Sequence, residues 1–406
     1  MEHVGVTYQV KAIGKLGLFN IANGSNIVDV ELPEGLTTIK EGAFAMAYTL
    51  RKVNFPSTLT SIGKEAFNAA GSWGQDQTPP FYQTYDLSQT KVTELDNVFG
   101  LQFSVEKMIY PETLKTIKGK IGYNSADKFI SITIPTAVET IGYFQGDNLN
   151  TIYMKPVVPP TPADGNLSIN SIATIYVPAD ATQPYEAASQ WSDYAGQYRE
   201  QVPIGASGYT TYYLENENFK VPAGCTAYII TGITPSGSIM IPDQAQVTAF
   251  TAGKIIPKQT GFILQGAANS TIEYQANVTG TEESVVGNLL IGTATEREFS
   301  SAGDKYYVLA NGDEGLGFYK QGTRNGASIK LAAHRAGLRL PEAIAPAKGF
   351  TIDLESARKE AETTGIRDVR PTVQSRENVI YDLQGRRVTN PGRGIYIVNG
   401  KKVVRE

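Results

Sequence analysis

A mainly β chain is predicted: a solenoid of short parallel strands in the first half, then a β-sandwich or barrel-like domain, then a small C-terminal β module. Three observations predict it. An alternating seven-residue pattern recurs between residues 27 and 178. Short β-prone runs punctuated by Gly, Pro and Asn fill residues 205–355. Finally, the 406 residues include 40 Gly and 21 Pro but only 19% charged residues, which suits a turn-rich folded chain rather than disorder or coiled coil.

The repeats read Ile27-Val-Asp-Val-Glu-Leu-Pro33, Leu50-Arg-Lys-Val-Asn-Phe-Pro56, Val105-Glu-Lys-Met-Ile-Tyr-Pro111, Phe129-Ile-Ser-Ile-Thr-Ile-Pro135, Leu149-Asn-Thr-Ile-Tyr-Met-Lys155 and Ile172-Ala-Thr-Ile-Tyr-Val-Pro178. Their starts are offset by 23, 55, 24, 20 and 23 residues, and the long gap holds a degenerate copy around Tyr85-Asp-Leu-Ser88. In each, Val30 and Leu32, Val53 and Phe55, or Ile132 and Ile134 point one way and polar neighbours the other. Period two means a strand with one buried face, and the closing Pro cannot extend a ladder.

A second pattern follows each strand: Leu36-Thr-Thr-Ile39 before Phe44, Leu59-Thr-Ser-Ile62 before Phe67, and weaker echoes at Leu114-Lys-Thr-Ile117 and Val138-Glu-Thr-Ile141. One short strand per period of near 23 residues lies in the leucine-rich repeat range. A single repeat cannot bury its own apolar edge, so strands stack in parallel at about 4.8 Å per step. These residues resemble the BspA-like leucine-rich repeat over roughly residues 22–200, most closely at 27–67 and 129–144. The resemblance implies a surface protein of anaerobic gut or oral bacteria. Residues 1–21 are expected to cap one end of a solenoid spanning 22–204, and a short helix over 185–199, carrying Trp191, to cap the other.

From about residue 205 to 355 turn signals come every ten or so residues, as in a sandwich or barrel. Expected strands include 226–231, 261–264, 271–275, 306–309 and 317–319, with Asn311-Gly-Asp313 as a hairpin turn. Pieces such as Gly208-Tyr-Thr-Thr-Tyr212 and Ile256-Pro-Lys-Gln-Thr-Gly261 resemble a β-rich module that follows such repeats in secreted proteins, which implies context but no activity. Residues 356–376 read as a short helix and linker. Residues 377–406 read as three strands, 379–382, 394–398 and 402–404, with Asn399-Gly400 turning the last pair. This end resembles type IX secretion sorting domains. The resemblance implies export, although Met1-Glu2-His3 has neither the charged nor the apolar region of a signal peptide, so a leader would lie outside this sequence.

Composition excludes several chemistries. Two His (His3, His334) and one Cys (Cys225) cannot form a Cys/His zinc site or a disulfide framework. His334 is expected in a strand, without a Gly-x-Ser-x-Gly elbow to serve, and Cys225 as a small buried hydrophobe. A net charge of −4 carries no basic field for nucleic acid, and the nine Lys/Arg of residues 366–406 read as a solvated or sorting surface. Asp164-Gly-Asn-Leu-Ser168 reads as a turn rather than a calcium loop. No run approaches the length of a membrane-spanning helix.

The remaining candidate is the exposed face of the repeat sheet. Its outward positions are Glu31, Asn54, Ile109, Thr133, Tyr153 and Tyr176, one per strand, and stacking brings the two tyrosines together. The insertion at 71–80, containing Trp73, is a second candidate. The expected protein is an exported, non-enzymatic, monomeric adhesin-like molecule without cofactor or metal, whose repeat sheet binds a host or bacterial surface protein or glycan. The rival is a carbohydrate-binding protein that stacks sugars on Tyr209, Tyr212, Tyr213, Phe318 and Tyr319 of the middle domain. A glycoside hydrolase would need two facing carboxylates that no spacing identifies.

Overall fold

Alternating apolar residues give each seven-mer one buried edge, and those edges line up. A computed structural model describes the chain except residues 1, 4–5, 8, 17–26, 73–81, 101–104, 122–127, 147, 164, 238–242, 313–314, 346–349, 368–379, 382–386, 389–392, 399–400 and 406. Trp73 and Asp164 therefore lie outside the described residues. Met1–Ala357 form one compact unit and Arg358–Glu406 a second.

The seven-mers are strands that pair in parallel, with one bulge at Glu106. Asp29–Glu31 pairs with Lys52–Asn54, and the degenerate copy Gln83–Asp86 with Val105–Ile109. Ser131–Ile134, Thr151–Met154, Thr174–Tyr176 and Tyr198–Ile204 then lie side by side in one sheet. Ile132, Ile152 and Ile175 are register partners, all buried.

Among the described residues the coils carry a second strand beyond the one expected, and two of them a third, Lys120–Ile121 paired in parallel with Tyr143–Phe144. The Leu-Thr-x-Ile pattern forms its own parallel ladders: Ala12–Ile13, Thr38–Ile39 and Ser61–Ile62, then Glu94–Asp96, Thr116–Lys118, Thr140–Ile141 and Thr161–Pro162. Strands of two or three residues have no readable period, so sequence alone did not show them. The first ladder already includes Ala12–Ile13, inside the segment expected as a cap. Leu36, Ile39, Leu50, Leu59 and Phe67 fill the space between ladders with almost no exposure.

The closing end also departs from expectation. In place of one helix over 185–199 there is a six-residue helix Thr182–Ala187, a 3₁₀ turn Ser192–Gln197, and then the strand Tyr198–Ile204. Tyr185 and Trp191 nonetheless seal the core, with ring centroids 5.0 Å apart. Their polar atoms donate to the Pro156 and Pro160 carbonyls at 2.9 and 2.8 Å, as buried Tyr and Trp require.

Strand Tyr198–Ile204 belongs to both halves of this unit. It pairs in parallel with Thr174–Tyr176 and antiparallel with Ser270–Tyr274 of the β domain. In that domain, Tyr209–Tyr212, Phe262–Gln265, Thr226–Thr234, Asp243–Phe250 and Phe350–Thr351 form a five-stranded sheet, in that spatial order. Phe262 and Leu264 enter one core with Tyr212 and Phe219, whereas Ile263 enters another with Tyr228, Tyr307 and Leu338. A sheet buried on both faces explains its nearly continuous apolar runs. A four-stranded sheet of Leu290–Thr293, Arg335–Pro341, Asp304–Gly312 and Gly315–Tyr319 supplies residues to the second core, giving sandwich-like layers. Asp304–Gly312 and Gly315–Tyr319 pair as a hairpin, but Asn311 and Gly312, expected in the turn, belong to the strand, and Asp313 lies outside the described residues.

Helix Leu354–Arg367 follows, and the division between the two units falls within it. Among the described residues the second unit has four antiparallel strands rather than three: Ile380–Tyr381, Arg387–Val388, Gly394–Val398 and Lys401–Arg405. Val398 pairs with Lys401, and the expected turn residues Asn399 and Gly400 lie outside the described residues. Among the described residues no helix is long and apolar enough to cross a membrane.

Candidate interaction face

Strand register places three of the expected binding residues in one row. Thr133 faces Tyr153, and Tyr153 faces Tyr176. The two rings stack with centroids 4.8 Å apart and planes 13° from parallel. That separation is the strand spacing itself: successive coils put the same side chain at the same height. Tyr153 keeps 37% of its surface exposed.

The row continues where sequence reading did not reach. Arg199 is the partner of Tyr176 on the next strand, and its Nη1 donates to the carbonyls of Gly196 (3.2 Å) and Tyr198 (2.6 Å). Glu273, from the β domain, accepts a 2.6 Å hydrogen bond from the Tyr176 hydroxyl. Burial and then this carboxylate push the Tyr176 phenol well above its ordinary range, so it stays a donor. Reading residues 198–199 as strand would have exposed Arg199. Nothing local could have found Glu273, which is 97 residues away in sequence.

Thr133, Thr136, Tyr153, Lys155, Tyr176 and Gln201 line a shallow groove of about 620 Å³. Lys155 is held by Glu112 at 2.7 Å. The rings stack on one another, so they offer edges and hydroxyls more than free faces. A surface of this kind suits a non-covalent partner contacting aromatic edges and a few polar groups.

The other expected residues are not gathered here. Glu31 is exposed on a coil four steps from Thr133, roughly 19 Å by strand spacing. Asn54 ties both amide atoms to the Leu32 backbone, accepting at 2.8 Å and donating at 3.3 Å, so it fastens neighbouring coils. In the β domain Tyr212, Tyr213 and Phe318 are buried, and Tyr209 and Tyr319 are half-buried, so the set presents no open stacking platform.

His334 lies in a left-handed turn rather than in a strand, with φ of 54°. Its Nδ1 is 3.3 Å from the Tyr213 carbonyl and 3.6 Å from Asp180 Oδ2. Cys225 is a buried free thiol whose pKa burial raises, the opposite of activation.

Beneath the exposed row, on the inward side of the shared strand, is a buried polar cluster. Glu200 is fully buried. Its Oε1 accepts from the Thr182 amide (3.2 Å) and hydroxyl (2.8 Å), and its Oε2 from the Asp180 amide (3.3 Å) and Tyr274 hydroxyl (2.5 Å). Tyr212 and Tyr274 hydroxyls are 2.7 Å apart. Since Tyr274 gives its proton to Glu200, Tyr212 must donate to Tyr274. Glu217, 1% exposed, accepts from the Gln183 amide at 2.5 Å. The repeat end and the β domain thus meet over polar groups, of which Asp180, Thr182, Glu200, Tyr212, Glu217 and Tyr274 are buried.

No curated protein matches the chain. Residues 8–74 and 81–183, the segment of stacked parallel coils, match the BspA type leucine rich repeat region in six copies.

Proposed function

We propose that this chain is an exported, non-enzymatic interaction protein of the bacterial surface that binds a protein partner through the row Thr133, Tyr153, Tyr176 and Arg199. The observation that carries this reading is the stacked, partly exposed tyrosine pair above a shallow groove. Repeat scaffolds present extended surfaces of this kind, and tyrosine provides large contact area at low entropic cost. Export is supported by the repeat family and by the resemblance of residues 377–406 to sorting modules. A protein partner is favoured over a sugar because each ring already covers one face of the other.

Replacing Tyr153 and Tyr176 together by Ala should weaken binding to immobilised host matrix proteins or whole bacterial cells by about 30-fold or more, while the circular dichroism spectrum stays unchanged. Equal binding by the variant and the parent would remove this face. A glycan array on the full chain tests the sugar reading, which gains if the same substitutions abolish a glycan signal.

A further inference from the structure

The polar cluster at the seam contains an atom that conventional pairing leaves out. Glu217 Oε2 is buried without a hydrogen-bond partner among the described residues, although its carboxyl faces that of Glu200. Two ionised carboxylates so placed would repel in a site closed to water, and neither could donate to the other. A proton on Glu217 resolves both problems at once. Glu200 already accepts from four donors, as an anion would, which leaves Glu217 to carry the proton.

We propose that Glu217 and Glu200 share one proton, held as a Glu217 acid donating to a Glu200 carboxylate, and that this proton latches the repeat scaffold to the β domain. The latch spans three segments. Asp180, Thr182 and Gln183 come from the closing end of the repeats, Glu200 from the shared strand, and Glu217, Tyr212 and Tyr274 from the β domain. Glu273, which holds the Tyr176 hydroxyl on the outer face, is the neighbour of Tyr274 on one strand, so the latch also fixes the carboxylate that holds Tyr176.

The surrounding charges agree with one proton and one negative charge. Asp180 accepts from the Glu215 and Asn216 amides at 2.8 and 3.0 Å and has His334 3.6 Å away. The Arg335 guanidinium acts on Tyr212, opposing the effect of burial there. Burial, and then the Glu200 charge, push the Glu217 carboxyl up to about 10. Burial raises Glu200 as well, and it keeps the Tyr212 and Tyr274 phenols above their ordinary range, so those donors persist. With its folded value above its unfolded one, Glu217 keeps the folded state one proton richer between the ordinary carboxyl range and about 10. That stabilisation is complete below the ordinary range and is lost as pH rises through the folded value.

The test compares the full chain with Glu217→Gln, which mimics the neutral acid and cannot titrate. Urea unfolding is measured between about pH 5.5 and about pH 9.5. The unfolding constant of the parent, divided by that of the variant, should grow about tenfold per pH unit, because groups common to both cancel. A ratio that stays flat overturns the proposal. Should the variant not fold, infrared spectroscopy of the parent decides. A protonated carboxylic acid band present at neutral pH and lost in strong alkali supports the latch, and its absence at neutral pH overturns it.

Discussion

The repeat scaffold and the β domain it adjoins bury similar side chains by opposite means. In the repeats each strand meets the equivalent strand of the next coil in parallel, with Val30 beside Val53 and Ile132 beside Ile152. One residue position, copied along the chain, builds one continuous core. In the β domain most strands pair antiparallel, the parallel pair of Asp243–Phe250 with Phe350–Thr351 apart, and one sheet is buried on both faces, so consecutive residues Phe262 and Ile263 serve separate cores. A repeat residue therefore supports two neighbours of its own kind, whereas a β-domain residue supports partners distant in sequence. The two meet on strand Tyr198–Ile204, which is parallel on one edge and antiparallel on the other.

The largest expected effect tests whether that shared strand joins the two cores energetically. Phe67 is fully buried and stacks on Phe44 and Phe99 at 4.9 and 5.6 Å, with Phe55 and Tyr85 at its edges. Phe262, equally central to the β domain, packs on Phe219 at 4.9 Å and Tyr212 at 6.0 Å. Phe67→Ala and Phe262→Ala should each cost about 3–5 kcal/mol in denaturant unfolding. If the strand couples the cores, each variant unfolds in one transition, and tryptophan fluorescence coincides with far-ultraviolet dichroism. Two separated transitions in either variant would show that the seam transmits little.

The same contrast explains what could be read in advance. The seven-mers were legible because the apolar position returns every 20 to 24 residues, and Tyr153 and Tyr176 were legible as neighbours because they occupy one position in successive coils. Even the degenerate strand Gln83–Asp86 followed from the gap it had to fill. The closing end was misread because Tyr198-Arg199-Glu200 is polar in sequence, and its alternation shows only once Tyr198 and Glu200 are seen to be buried. In the β domain the strands were visible as β-prone runs, but their partners were not. Nothing local says that Glu200 lies opposite Tyr274 or that Glu273 will hold Tyr176. Repetition carries long-range information in local sequence, and an antiparallel domain does not.

A second, smaller effect sharpens the difference at the backbone. Where coils stack, main chains approach without room for a side chain. A Cβ added at Gly142 would lie 1.8 Å from the Gly119 carbonyl oxygen, and one at Gly63 would lie 2.4 Å from the Glu41 amide nitrogen. Both glycines directly follow a short second-ladder strand, Thr140–Ile141 and Ser61–Ile62. Gly142→Ala must therefore push neighbouring coils apart and should cost about 1–3 kcal/mol by urea unfolding. A neutral result would mean that the coils can slide at little cost, and the picture of a rigid backbone stack would fail.

The smallest effect is expected where the repeat has just ended. Gly205 follows strand Tyr198–Ile204, has no heavy atom within 4 Å of an added Cβ, and does not adopt a left-handed backbone. Gly205→Ala removes freedom from the unfolded chain without a clash in the folded one, so it should be neutral or stabilising, by up to about 1 kcal/mol. Measured beside Gly142→Ala, it separates the two roles of glycine in this molecule, close approach within the stacked coils and simple turning beyond them. A loss at Gly205 comparable to that at Gly142 would mean that the exit of the shared strand is as tightly constrained as the stack it leaves.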